Sequence, residues 1–216
     1  MTRSILAGLA IAAAVAVLSG TGCQSTGVGD PCTPEQEYDK SFLGFSKDEV
    51  NVESKSFQCQ TRLCLVNHFR GRVSCPYGQN ADGSEPAGAG SCASGQNWGC
   101  CTPGVGQHVD GIDAQGKPVN PTAQGTVDPQ CPDRKADKTV YCSCRCANAD
   151  GNTNDGANYC TCPDGFACAQ LVSPISEADQ GLTGAYCVKN GTQYDANVGG
   201  CASKCDPALK NCGPVL

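Results

Sequence analysis

The chain has 216 residues, of which 39% are hydrophobic, 6% are aromatic and 19 are cysteine, and its formal net charge at pH 7 is −6. An acidic chain without a basic run is a poor candidate for binding nucleic acid or for direct contact with anionic lipid headgroups. Because the hydrophobic fraction includes alanine and the 19 cysteines, and aromatic residues are scarce, large apolar side chains are few. They can form only a thin core, and covalent cross-links must supply the stability that burial does not.

Residues 1–22 predict a secretory signal peptide. Arg3 supplies a short positive start, Ile5 to Leu18 is an uncharged apolar run, and small residues lead into Cys23. This order is typical of an export signal, and the apolar run of 14 residues is short for a permanent membrane span.

The small residues directly before Cys23 resemble the lipobox of bacterial lipoproteins, in which the cysteine is diacylated and becomes the new N-terminus. Thr21 and Gly22 match that pattern, whereas Gly20 stands where leucine is usual. The resemblance implies lipidation of Cys23, and therefore attachment to the membrane through acyl chains. A plain signal peptide, cut after Gly22 and without lipid, is the alternative.

The cysteine count supports lipidation independently. An odd number in an exported protein leaves one cysteine to explain, and a lipidated Cys23 leaves 18 of the 19 for disulfides. Export favours disulfides because paired cysteines remain oxidised in the periplasm or outside the cell. Removal of residues 1–22 takes away Arg3 and no acid, so the mature charge is −7. The disulfide candidates, whose pairing the sequence leaves open, are Cys32, Cys59, Cys64, Cys75, Cys92, Cys100, Cys101, Cys131, Cys142, Cys144, Cys146, Cys160, Cys162, Cys168, Cys187, Cys201, Cys205 and Cys212.

Composition divides the mature chain into a lipidated N-terminus with a flexible tether, an N-terminal cysteine-rich module, a Gly/Pro-rich linker or long loop, and a C-terminal cysteine-rich module. These segments are 23–33, 34–101, 102–130 and 131–216. The linker separates seven candidate cysteines from eleven. Because both numbers are odd, complete pairing requires at least one disulfide across the linker. Adjacent Cys100 and Cys101 are the natural branch point, since neighbouring cysteines rarely bond each other.

The N-terminal module predicts three local elements. A capping box from Thr33 to Gln36, with proline at the first helical position, predicts a helix of a turn or two. Alternation over Glu49–Glu53 predicts a short strand. The β-favouring run Gln60–Tyr77, with a turn at Arg70-Gly71, predicts a hairpin that carries Cys64 and Cys75.

The C-terminal module contains a small repeat, in which Tyr141-Cys-Ser-Cys144 recurs as Tyr159-Cys-Thr-Cys162. Residues two apart point to one face of a strand. Cys142, Cys144 and Cys146 are therefore expected on one side of one strand, and Cys160 and Cys162 on one side of another. The simplest geometry is two antiparallel ribbons, joined by a loop and cross-bridged by disulfides.

Two resemblances come from the cysteine blocks. The run Cys160-Thr-Cys-Pro-Asp-Gly-Phe-Ala-Cys168 resembles the C-terminal signature of EGF-like modules, with only Ala167 where several residues are usual; a private disulfide pattern is the alternative. The blocks Ser56–Val66, Tyr141–Cys146, Tyr159–Cys168 and Ala185–Val188 resemble those of uncharacterised myxobacterial lipoproteins. That resemblance implies an exported, lipid-anchored envelope protein, and it implies no activity.

One loop has the oxygen spacing of a calcium site. Side-chain oxygens recur through Asp150, Asn152, Asn154 and Asp155, although Asp155 stands where the glycine of an EF-hand would be. A solvated hairpin loop explains the same residues. Calcium is therefore the only cofactor that the sequence suggests, and otherwise none is expected.

Catalytic and zinc signatures are missing from the sequence. No C-x-x-C occurs, and the two histidines are His68 and His108. Cys64 and His68 are four residues apart, yet a catalytic cysteine must be a free thiolate, and the cysteine parity leaves none free.

These observations predict a small disulfide-rich fold of short β-hairpins and loops with little helix. They predict a lipid-anchored protein of the bacterial outer membrane, facing the periplasm or the surface. Its expected role is non-enzymatic, structural or binding, with disulfide-braced loops presented to an envelope protein or a glycan. A calcium-stabilised adhesion module and a secreted hydrolase or redox enzyme are the alternatives.

Overall fold

A computed structural model describes residues 27–81, 83–84, 86–87, 100–104, 109, 125–172, 182–195 and 201–212. These residues form a disulfide-rich fold of two small antiparallel sheets connected by loops, with very little helix. The fold class that the composition predicts is confirmed. No helix in these ranges is long and apolar enough to cross a membrane.

The regular elements of the described residues are short. The helices are single turns: two 3-10 helices, η1 (Glu35–Tyr38) and η2 (Pro132–Arg134), and one α-helix, α1 (Ala136–Thr139). The strands are β1 (Val50–Glu53), β2 (Cys64–Asn67), β3 (Val140–Cys142), β4 (Arg145–Ala147), β5 (Phe166–Val172) and β6 (Gly184–Lys189).

The first sheet has the order β1-β2-β3 and draws strands from both sides of the 102–130 segment. The strand predicted over Glu49–Glu53 is confirmed as β1. The 3-10 helix η1 lies where the sequence predicts a helix of a turn or two. The predicted capping box is wrong, because η1 begins without a side-chain cap.

The hairpin predicted over Gln60–Tyr77 is wrong. Strand β2 pairs with β1 and β3, not with the residues that follow it. All four of its residues are buried, as expected for a central strand that is covered on both faces. The chain leaves the sheet at His68, whose φ of 51° lies in the left-handed region.

The second sheet has the order β4-β6-β5. The chain passes from the first sheet to the second between β3 and β4, at Ser143. The Ser143 N–H donates to Leu63 O at 3.0 Å, and its hydroxyl donates to Cys187 O at 2.8 Å. The continuous ribbon predicted through Cys142 and Cys146 is therefore wrong, since these cysteines lie in different sheets.

Disulfides replace much of the apolar core, and the disulfide-bonded character that the sequence predicts is confirmed. Eight bridges join Cys32–Cys64, Cys59–Cys142, Cys75–Cys100, Cys131–Cys201, Cys144–Cys160, Cys146–Cys168, Cys162–Cys187 and Cys205–Cys212. Cys101 is disulfide-bonded as well.

A bridge across the 102–130 segment is present, as the cysteine parity requires. It is Cys59–Cys142. The predicted branch at Cys100 and Cys101 is wrong, because Cys100 bonds Cys75 on its own side of the segment and all eleven cysteines after the segment bond other partners. The parity argument requires a crossing bridge but carries no information about which cysteine makes it.

The chain ahead of η1 is fixed to the first sheet. Gly29 N–H donates to Cys142 O, and Cys142 N–H donates to Asp30 O, both at 2.8 Å. Cys32 is covalently bound to Cys64. Over residues 27–33, the structure shows a bound segment where the composition predicts a flexible tether.

The described parts of the 102–130 segment also pack on the fold. Val109 and Val127 are buried in a small cluster with the Cys75–Cys100 bridge. A Cβ at Gly71, whose φ is 85°, would collide with Asp128 O, so glycine permits the close approach of these two backbones.

A buried glutamate and a buried arginine connect η1 to the loop after β2. The side chains of Glu37 and Arg72 are both fully buried. The Glu37 carboxylate accepts hydrogen bonds from the N–H groups of Val73 and Ser74. The Arg72 guanidinium donates to backbone carbonyls of η1 and the turn after it, namely those of Glu37, Asp39 and Phe42.

We expect Arg72→Met to lower the free energy of unfolding by about 3–5 kcal/mol, because it leaves three backbone carbonyls without their donor and removes the positive charge near the buried Glu37 carboxyl. Urea denaturation with the disulfides intact measures this. Lys204→Met, on an exposed side chain, is the matched control and should change stability by no more than about 0.5 kcal/mol. If the two variants lowered the free energy of unfolding equally, the contacts of buried Arg72 would contribute no more to stability than those of an exposed side chain.

The stability should also depend on pH through Glu37. Burial raises the pKa of its carboxyl above the usual 4.5, against the opposing effect of the hydrogen bonds from Ser74 and Val73. The folded state therefore binds a proton that the unfolded chain releases. Stability from this proton is fully present below pH 4.5 and is lost as the pH rises through the folded-state pKa.

Glu37→Gln removes this proton uptake. We expect the wild type to gain stability relative to the variant as the pH falls from 7 to 4, measured by urea denaturation at each pH. Comparing the two proteins cancels the contributions of the other carboxylates. If the free energy of unfolding of the wild type instead fell relative to that of Glu37→Gln as the pH was lowered, the raised pKa of Glu37 would be contradicted.

Candidate binding surface

A surface groove lies between η1 and the loop that follows β1. Its volume is about 400 Å³. One wall is formed by Thr33, Glu35 and Tyr38, and the other by Glu53, Lys55, Ser56, Phe57, Gln58 and Arg62. We call it the 33–62 groove. A concave site of this size, with aromatic and polar lining, is a common form of ligand-binding site.

Hydrogen bonds join the two walls. Thr33 N–H donates to Gln58 Oε1, and Gln58 Nε2 donates back to Thr33 O, both at 3.0 Å. Glu35 N–H donates to Glu53 Oε2 at 3.0 Å. The reciprocal amide pair fixes the orientation of Gln58, and the second contact holds the Glu53 carboxylate against the backbone of Glu35.

The loop that forms the second wall is closed on itself and cross-linked to the first sheet. Ser56 N–H donates to Arg62 O at 3.1 Å, and Arg62 N–H donates to Cys59 O at 2.9 Å. The φ of Arg62 is 63°, a conformation that non-glycine residues adopt only when their surroundings impose it. The disulfide Cys59–Cys142 then ties the loop to β3.

Two aromatic side chains project from the groove into solvent. Phe57 is 85% exposed and Tyr38 is 49% exposed. The guanidinium carbon of Arg62 lies 4.3 Å from the centroid of the Phe57 ring. That contact covers one face of the ring and favours this orientation by about 0.5–1 kcal/mol. An exposed phenylalanine on a cross-linked loop is therefore available to a partner.

The groove carries charges of both signs. Glu35 and Glu53 are acidic, whereas Lys55 and Arg62 are basic and form no ion pair within the described residues. Burial raises the pKa of Glu53, the negative charge of Glu35 acts in the same direction, and the hydrogen bond from the Glu35 N–H opposes both.

A buried hydroxyl in the groove wall lacks a partner. Ser56 is 2% exposed, and its Oγ has no hydrogen-bond partner among the described residues. Buried polar atoms are normally hydrogen-bonded, and an unpaired one costs free energy.

The sequence predicts no function for the residues of this groove. Phe57 and Gln58 belong to one of the cysteine blocks, and no motif singles them out. The available signal was an aromatic residue between polar neighbours beside Cys59, a pattern that does not fit a buried strand. Which segment would face Phe57 depends on disulfide connectivity, which the sequence leaves open.

In the loop predicted as a calcium site, Asp155 has both carboxylate oxygens engaged in local hydrogen bonds. Asp155 Oδ2 accepts from Asn148 Nδ2 at 2.9 Å and from Tyr159 OH at 2.6 Å, and Asp155 Oδ1 accepts from Ala157 N–H at 3.1 Å. Asp150, Asn152, Asn154 and Asp155 are all exposed.

Clusters of possible ligand atoms elsewhere in the described residues consist of disulfide sulfurs, which have no thiolate to bind a metal ion. Three groups of histidine, cysteine or carboxylate side chains in the described residues bring their ligand atoms within 4.8 Å of one another. Every member of these groups is a disulfide-bonded cysteine, and the 150–155 loop contributes to none of them.

Cys64 and His68 do not form a catalytic pair. Cys64 is bonded to Cys32 and carries no thiolate. His68 stacks on the ring of Tyr194, with 3.9 Å between the centroids, and its Nδ1 lies 3.0 Å from Lys47 O. Cys23, residues 1–22, Cys92 and His108 lie outside the described residues.

Comparison with known proteins finds no matching family model, no matching curated protein and no matching solved structure. The geometry of the described residues therefore carries the functional argument.

The pKa of Asp155 provides a test of the loop geometry. Hydrogen bonds from Tyr159, Ala157 and Asn148 lower the pKa of its carboxyl from 3.8 to about 2, the bond from Tyr159 having the largest effect. We expect Tyr159→Phe to raise this pKa toward 3.8, measured from the side-chain carboxyl carbon by NMR titration.

Tyr77→Phe is the control, because the Tyr77 hydroxyl bonds Cys212 O and not this loop. An ordinary pKa for Asp155 in the wild type would contradict the geometry. Addition of Ca²⁺ during the same titration tests the calcium prediction, since an ion bound by the loop would shift the Asp155 signal.

Proposed function

We propose that this protein is a lipid-anchored component of the bacterial cell envelope with a non-enzymatic binding role. Acyl chains on Cys23 hold it at the outer membrane, and its braced loops engage an envelope protein or a glycan. The observation that carries the binding role is the 33–62 groove, in which exposed Phe57 and Tyr38 stand on segments that are cross-linked to the sheet.

Rigidity supports the proposal. A loop that is already ordered loses little conformational entropy when a partner binds. The Cys59–Cys142 and Cys32–Cys64 bridges supply that order to the two walls of the groove. The density of disulfides supports an exported protein, because such bridges persist in oxidising compartments.

The lipid anchor is supported by the lipobox-like residues before Cys23 and by the cysteine count. At least two acyl chains are needed for stable anchoring. An acidic chain gains no attraction from anionic headgroups, so the acyl chains alone would provide the membrane attachment.

Fractionation and intact mass test the anchor. We expect the protein extracted from membranes to begin at Cys23 with acyl chains attached, and Cys23→Ser to leave the membrane fraction. Ser25→Ala, two residues away, is the matched control and should stay membrane-bound. An unlipidated N-terminus in the membrane-extracted protein would contradict the proposal.

Site-specific crosslinking in intact cells tests the binding role. A benzophenone amino acid in place of Phe57 should form an adduct with an envelope component. The same group in place of Leu209, which is 70% exposed, is the matched control. Adducts at neither position, or equal adducts at both, would contradict a binding role for the groove.

A further inference from the structure

We propose that the 33–62 groove binds an uncharged saccharide of two or three sugar rings. The inference rests on the proposed binding role and names the chemical class of the partner. It comes from four features of the groove: its mixed charges, its aromatic platform, an unpaired buried hydroxyl and its rigidity.

The mixed charges favour neutral hydroxyl groups over a charged ligand. An anionic ligand would meet Glu35 and Glu53, and a cationic one would meet Lys55 and Arg62. A sugar hydroxyl both donates and accepts hydrogen bonds. It can therefore donate to the carboxylates of Glu35 and Glu53 and accept from the cationic groups of Lys55 and Arg62.

The aromatic platform suits a sugar ring. Pyranose rings present flat faces of C–H groups, which pack on aromatic rings. Arg62 covers one face of Phe57 at 4.3 Å, and 85% of the Phe57 side chain is exposed, so the other face is open. Tyr38 adds a second aromatic surface with a hydroxyl at its tip, and it is 49% exposed.

The unpaired hydroxyl of Ser56 points to a ligand with hydrogen-bonding groups. Ser56 lines the groove, and its Oγ lacks a partner among the described residues. A sugar hydroxyl that reached the Ser56 Oγ from the groove would supply the partner that it lacks. Binding would then recover free energy that the free protein loses to an unpaired polar atom.

The groove is also ordered before a ligand arrives. Gln58 is held by its reciprocal hydrogen bonds with Thr33, and the loop is closed between Ser56 and Arg62. Few side chains then need to be immobilised, so little conformational entropy is lost on binding. This saving is important for a ligand whose hydrogen bonds are weak because water competes for the same groups.

Isothermal titration calorimetry with a panel of uncharged di- and trisaccharides tests the inference. The panel contains α- and β-linked glucose, galactose, mannose and N-acetylglucosamine oligomers, with a galacturonate and a chitosan dimer as anionic and cationic probes. The protein is purified after export with its disulfides intact. We expect at least one uncharged member to bind, and the charged probes to bind at least tenfold more weakly.

Phe57→Ala should weaken that binding by about five- to tenfold, the usual effect of losing one aromatic contact. Because Phe57 is exposed, the substitution should leave thermal stability unchanged. Phe57→Trp should retain binding, since it keeps an aromatic face. Leu209→Ala removes an exposed apolar side chain outside the groove and should bind like the wild type.

The outcomes separate this inference from the proposed function. If no uncharged saccharide binds while the residue-57 crosslink yields a protease-sensitive adduct, the partner is a protein, and the saccharide inference falls while the binding role stands. Preference for a charged probe, or saccharide binding that Phe57→Ala leaves unchanged, would also overturn the inference. If neither a saccharide nor a crosslink is found, both proposals fall.

Discussion

Two disulfides at neighbouring strand positions support the rest of this structure. Cys64 of β2 and Cys142 of β3 are register partners, yet each bonds a cysteine from a distant loop: Cys64 bonds Cys32 and Cys142 bonds Cys59. The bridges span sequence separations of 32 and 83 residues. Closing loops of such length stabilises a fold by roughly 3–5 kcal/mol for each bridge, although the two values do not add. In a chain this poor in large apolar residues, these two bridges form the centre of a core.

The same two bridges position the candidate binding surface. Cys32 lies beside the residue that begins one wall of the 33–62 groove, and Cys59 lies within the loop that forms the other wall. The Glu37–Arg72 contacts add a second, non-covalent attachment by fixing η1 to the loop after β2. An exposed phenylalanine can therefore be held in a defined place by a fold with little regular secondary structure.

The local patterns and the overall composition predict part of this fold. Alternating valines predict β1, and the cysteine density predicts the class. The hairpin after Cys64 is wrong because an apolar run is compatible with both a hairpin arm and a central strand, and only distant partners decide between them. The groove could not be predicted for a similar reason. Its walls come from residues 33–38 and 53–62, and their proximity depends on the disulfide connectivity. Because 18 cysteines allow a very large number of pairings, the sequence does not specify which one forms.

Disulfide mapping tests the central claim most directly. Non-reducing proteolysis followed by mass spectrometry identifies the peptides that each bridge connects. The structure predicts one linked pair that contains Cys32 and Cys64 and another that contains Cys59 and Cys142. The pairing Cys64–Cys142 with Cys32–Cys59 is the closest competitor, because Cys64 and Cys142 are already register partners. In that competitor neither groove wall is covalently attached to the sheet, so finding it would contradict the role of these two bridges in the fold.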